Sequence, residues 1–221
     1  MSYDGYDSPK ITRKYERSQR GKFQFCRDLT KEASTAMKKI VIICGLISGF
    51  ITTSWTLGFM LVAGRNSDTD FESGTIYGYA SMILAFSLIY VGVRNFRNKY
   101  NGGVISFGKA FRMGLYITLI ASTLYVVAWL VTYYCFMPDF GKVWSEHVLK
   151  AARASGASAA VIAQKTAEMA DFEKMLKNPF INGLMAYMEI LPVGLVASVI
   201  TAFILKRKRP VDNAVIAGER I

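Results

Sequence analysis

Histidine and cysteine are scarce in this chain of 221 residues, and so are acids inside its apolar stretches. His147 is the only histidine, and one imidazole cannot build the two- or three-histidine centres of many metal enzymes. Cys26, Cys44 and Cys135 lie far apart, two of them within apolar runs. They form neither a disulfide framework nor a zinc pattern. There is no G-x-S-x-G elbow, no Walker phosphate loop and no G-x-G-x-x-G turn, so the usual signatures of soluble catalysis are missing. The expectation is a protein that is not an enzyme and holds no cofactor or metal.

What the chain does have is apolar residues, 52% of the total, gathered in blocks. The last block, Phe180 to Leu205, reads FINGLMAYMEILPVGLVASVITAFIL. As a helix rising 1.5 Å per residue it crosses a hydrocarbon layer of roughly 30 Å with some tilt. Spans are predicted at about 40–63, 74–93, 114–137 and 180–205.

Charge sets their direction. A net charge of +11 is where nucleic-acid binding would be proposed, but the basic residues flank apolar runs instead of covering one polar face. The lipid bilayer, with its anionic inner face, is the expected partner, and nucleic acid is not. Lys206 to Arg209 follow the last span, while Arg94, Arg97, Lys99, Lys109 and Arg112 crowd the connection after the second. Segment 64–73 holds Arg65 against Asp68, Asp70 and Glu72. Lys and Arg near span ends stay in the cytoplasm, which puts both termini there. The acidic turn lacks the ligand spacing of an EF-hand and is read as solvated.

Residues 1–36 are polar and mixed in charge, with no period long enough to bury a face. They are read as a disordered extension, or as an over-extended start, because Met37-Lys38-Lys39 before an apolar run reads as a bacterial beginning. The first run is too long for a cleaved signal and lacks a small-residue cleavage site. The membrane domain covers 37–210 and a tail covers 211–221. Between the last two spans, 139–179 is read as two amphipathic helices. Phe140 to Ala154 carries Val143, Trp144, Val148, Ala151 and Ala152 on its apolar side. A second helix, capped by Ser158 and ended by Asn178-Pro179, carries Ile162, Met169, Phe172 and Leu176. The fold expected is an all-α membrane protein: four transmembrane helices with an extracytoplasmic two-helix insertion between helices 3 and 4.

Three sets of residues stand out. Gly45 and Gly49, Gly78, and Gly114 belong to strips of small residues that let membrane helices approach closely. Such strips serve a homodimer seam or packing within one bundle, and their recurrence on several spans favours the bundle. Lys109 and Arg112 share one side of a helical turn, with Phe107 and Phe111 on the other. That turn is read as an interfacial elbow, either contacting lipid headgroups or anchoring the helix with snorkelling cations. Glu189, the only acid placed within any span, lies deep enough for the cost of desolvating a charge to matter. Pro192, three residues on, removes a backbone donor and can kink the helix. A carboxyl beside a helix break is an arrangement of ion and proton pathways. The plainer reading is a neutral carboxyl hydrogen-bonded to Thr118, Ser122 or Tyr125.

Phe107–Gly114 (FGKAFRMG), Pro138-Asp139-Phe140 and Glu189–Leu195 (EILPVGL) together carry a resemblance. Over about Met37 to Pro210 the chain is similar to domain-of-unknown-function family 4199, four-helix membrane proteins of bacteria. The resemblance implies an integral membrane protein with no established activity and supplies no catalytic residues. The function expected is structural or accessory, in a homo-oligomer or a larger membrane complex. The alternative is a small proton- or solute-coupled transporter or channel component using Glu189. A lipid-handling enzyme built on the basic elbow is the weakest reading.

Overall fold

The computed structural model describes residues 8–63 and 71–207. Side chains at 8–23, 25, 26, 29, 60–63 and 71–73 lie outside the description, as do the acidic turn at Asp68, Asp70 and Glu72 and the tail 211–221. Six helices follow one another: α1 Ser8–Ala63, α2 Phe71–Tyr100, α3 Phe107–Phe136, α4 Phe140–Ala154, α5 Ala159–Lys177 and α6 Pro179–Leu205. Four of them, α1, α2, α3 and α6, contain stretches long and apolar enough to cross a membrane.

Those four form one bundle, with α1 and α6 each packed against both α2 and α3. Its exterior is apolar: Ile42, Leu46, Phe50, Ile83, Leu84, Val127, Val196 and Ile200 are all exposed. Its interior mixes Phe86, Ile89, Phe96, Met113 and Ile117 with the buried hydroxyls of Ser48, Thr52, Thr118 and Ser198. Hydrocarbon offers backbone and side-chain polar groups no partner, so hydroxyls belong inside and aliphatic residues outside. The Ser48 hydroxyl donates across to the Ala85 carbonyl of α2 at 2.8 Å. Ser198 donates to the Gly194 carbonyl of its own helix at 2.7 Å.

Close approach depends on glycine. A Cβ on Gly194 would collide with Thr118 of α3 and lie 3.0 Å from Phe86 of α2. On Gly114 it would lie 2.7 Å from the Ser198 hydroxyl of α6. At Gly45 and Gly49 the side chains of Ile120 and Leu124 on α3 stand 2.8 Å from the same position. The α1 strip therefore meets α3 of its own chain.

One end of the bundle collects the basic residues. The backbones of Ile105 and Arg207 exchange hydrogen bonds, Ile105 N–H to Arg207 O at 3.2 Å and Arg207 N–H to Ile105 O at 2.9 Å. With Arg97 donating to the Leu205 carbonyl at 3.4 Å, the α2–α3 connection satisfies the C-terminal end of α6, where helices lack partners. Helices α4 and α5 pack on each other at the opposite end, with α5 against α6.

Helix α1 begins at Ser8 and runs on into the first span. No glycine or proline interrupts 22–44, so a helix nucleated in the span propagates outward at little cost per residue. Several expectations need correcting. Helix α2 runs to Tyr100 and α3 starts at Phe107, so the elbow is simply the first turn of α3. The break is confined to Gly102 and Gly103, with φ of 62° and 76°, values open to glycine. Phe107 is held by Phe203 of α6, ring centroids 4.9 Å apart. Helix α6 continues unbroken through Pro192; the helix break beside Glu189 is absent. On α4 the buried positions are Gly141, Ser145 and Ala152, while Val143 is exposed. The helix is rotated because Leu176 of α5 presses on Gly141, 3.2 Å from where a Cβ would stand.

Gly194→Val is expected to cost about 1–3 kcal/mol through overpacking. At about 2–4 °C per kcal/mol for a chain of this size, thermal unfolding in detergent reads the loss. Gly78→Ala, whose Cβ would have only the Trp55 indole nitrogen at 3.8 Å, leaves the midpoint unchanged.

Candidate functional site

Above the Gly194–Phe86 contact the bundle holds a cavity of about 320 Å³. Thr52, Trp55, Thr56 and Phe59 of α1 form one wall, and Gly74, Gly78, Tyr79, Ser81 and Met82 of α2 another. Tyr125 and Trp129 come from α3, and Asn182, Met185, Ala186 and Glu189 from α6. Phe140 and Trp144 of α4 with Phe172 and Leu176 of α5 line its outer part. Gly78 of α2 leaves space where a larger side chain would fill it, Gly74 is covered by the Phe59 ring, and the aromatic residues of five helices surround the space.

Glu189 lies about ten residues from the start of α6, about 15 Å along the axis. It is exposed, and the space it faces is this cavity. Among the described residues no Lys, Arg or His lines the cavity with it. Tyr125 is buried, and its hydroxyl lies close to Thr56 and within electrostatic reach of Glu189 and Tyr79. Of the three partners expected for Glu189, only Tyr125 shares its cavity. Thr118 is 3.4 Å from the Ser198 hydroxyl, and Ser122 Oγ is buried without a hydrogen-bond partner among the described residues.

The outer part is latched by Asn182. The Trp129 indole N–H donates to Asn182 Oδ1 at 2.8 Å. Asn182 in turn donates from Nδ2 to the Leu176 carbonyl at 3.2 Å, and the Tyr134 hydroxyl donates to that same carbonyl at 2.8 Å. Trp129 meets Phe140 edge-on with centroids 5.4 Å apart. Three helices are thereby joined at one peptide, the last turn of α5. Asn182 is not among the sequence candidates, yet a primary amide inside an apolar run is a signal, because such a group must find partners there. Asn178 also does more than end α5, since its Oδ1 accepts from the Phe180 N–H at 3.0 Å and caps α6.

The remaining candidates are dispersed. Pro192 is exposed within α6 and deprives only the Met188 carbonyl of its helical donor. Lys109 donates to Asn101 Oδ1 at 3.0 Å and sits 4.7 Å over the Phe96 ring. Arg112 bonds the Gly108 carbonyl of its own helix at 3.2 Å, so the two cations do not converge on a common ligand. Gly78 lines the cavity, whereas Gly45, Gly49 and Gly114 lie in helix contacts. No three His, Cys, Asp or Glu side chains gather to hold a metal among the described residues.

Four membrane-length apolar helices around a carboxyl-bearing cavity, capped by a helical pair, define a polytopic helical bundle of membrane type. Residues 43–207 match the family described as Protein of unknown function (DUF4199), well over half of the chain, and the protein belongs to that family. The match takes in the cavity-lining residues and the latch. No curated protein and no solved structure matches the chain.

Trp129→Phe keeps the ring but leaves Asn182 Oδ1 without its donor, at a cost of about 1–3 kcal/mol. Hydrogen–deuterium exchange is expected to quicken in α4 and α5 and to stay unchanged in the α1–α3 contact around Gly45 and Gly49.

Proposed function

We propose that this is a non-enzymatic protein of a bacterial inner membrane whose cavity takes up a small solute, with Glu189 as the group that exchanges a proton with it. The cavity carries this reading. Its volume of about 320 Å³ falls in the range of small-ligand sites, and Glu189 is the single acid among its described lining residues. Holding a charge near the centre of a span costs about 3 kcal/mol, and a bundle that served only to pack has no use for it. The titratable groups facing Glu189 are Tyr79 from α2 and Tyr125 from α3. Among the described lining residues α1, α4 and α5 add none.

The basic end is the cytoplasmic one in this reading, with both termini beside it and α4 and α5 outside. The cavity is then open toward the outer half of the membrane and closed below by Phe86 against Gly194. Four helices enclose little space, so a homo-oligomer or a larger complex is the working form, with the bilayer as the immediate partner.

Reconstituted vesicles test the transport reading. With pyranine trapped inside, wild-type protein dissipates an imposed pH gradient faster than protein-free vesicles, and Glu189→Gln returns the rate to the protein-free level. Equal rates for the two proteins would leave an accessory role as the better account. Orientation is checked separately in intact cells, in a chain freed of its native cysteines. Ser155→Cys reacts with a membrane-impermeant maleimide from outside and Ser106→Cys does not; the reverse pattern would invert the topology.

A further inference from the structure

We infer that the solute is a lipophilic organic monocation, an inference that rests on the solute-binding reading above. Several of the cavity's polar groups are already committed to partners within the protein. Thr52 Oγ1 donates to the Gly49 carbonyl at 3.0 Å, Thr56 to the Thr52 carbonyl at 3.1 Å and Ser81 to the Gly78 carbonyl at 2.7 Å. The Trp129 indole N–H and the Asn182 amide are committed to the latch. The described lining also carries one carboxyl, that of Glu189, and eight aromatic side chains, of which Trp55 and Tyr79 bring an N–H and an O–H.

Each class of ligand meets that surface differently. An anion would face a carboxyl with no cation among the described lining residues to balance it. A sugar or other polyol needs a polar partner for each of its many hydroxyls, whereas the described walls are largely aromatic and the Thr52, Thr56, Ser81 and Asn182 donors are already bonded. A bare metal ion needs several oxygen ligands within about 2.6 Å, whereas the walls are largely aromatic and the space exceeds any such ion. An organic cation is recognised by what is present: ring faces attract positive charge, worth more as water is excluded, and one carboxyl balances one charge. A dication would lack its second counter-charge among the described lining residues.

The test is a matched pair of ions of equal shape and opposite charge, tetraphenylphosphonium and tetraphenylborate. Their binding to purified protein in detergent is measured by equilibrium dialysis against protein-free micelles. Wild-type protein is expected to bind tetraphenylphosphonium, and Glu189→Gln to weaken it about tenfold or more, while tetraphenylborate uptake does not respond to Glu189. Tyr79→Phe, which keeps the ring, retains affinity, and Tyr79→Leu loses about threefold or more. Equal binding of the two ions by wild type, or equal affinity in wild type and Glu189→Gln, overturns the assignment. So does an equal loss in both Tyr79 variants. If Glu189-dependent proton flux persists while tetraphenylphosphonium binding fails any of these criteria, the cation class is wrong and the solute reading stands. If flux and binding are both absent, the reading beneath it falls as well.

Discussion

The contact of Gly194 with Thr118 and Phe86 is the constraint on which the bundle depends. Lipid tails are as apolar as the helices they surround, so membrane helices gain little by hiding aliphatic surface from them. Association rests instead on how closely backbones pack and on hydrogen bonds between them. Gly114 against Ser198 and Gly194 against Thr118 bring α3 and α6 together twice, while Phe86 of α2 comes up against Gly194. A side chain at either glycine would separate the helices and remove the dispersion contacts of their neighbours, which decay steeply with distance.

The same contact explains where the cavity lies. Below it, Phe86, Ile89, Val93 and Phe96 are fully buried and fill the space between helices. Above it, α2 offers Gly78 and Ser81, too small to fill the corresponding space. The outer part is kept in place by Trp129, Asn182 and the Leu176 carbonyl, hydrogen bonds whose alternative in hydrocarbon is an unpaired polar group. Surface ion pairs add little here: Lys142–Asp139, at 2.9 Å between two exposed side chains, belongs to a type worth less than about 1 kcal/mol. The upper half is thus open because its side chains are small, and held because its few polar groups have fixed partners.

Much of this was legible in the chain. The four apolar runs correspond to α1, α2, α3 and α6, and the Ser158 cap and the two short helices stand where the residues placed them. Glu189 was conspicuous as an acid inside an apolar run. Its surroundings were not legible: Thr118, Ser122 and Tyr125 share a span and a chemistry, yet only Tyr125 shares the cavity with Glu189. Lys109 and Arg112 share a face by spacing, but Asn101 and Phe96 hold one while the other bonds its own helix. Asn182 is marked in the chain only as an amide inside an apolar run; its role depends on Trp129, 53 residues away, and on the Leu176 carbonyl.

The amino-acid order alone determined which segments are long and apolar enough to traverse lipid and which end of each carries positive charge. Both are sums over neighbouring residues, since hydrophobic length and flanking charge depend on nothing farther along the chain. Only the tertiary structure decided that an empty space exists, which acid opens into it and which donors are already occupied. A cavity is the volume left when helices from four distant segments meet at their smallest side chains, so it belongs to no segment by itself.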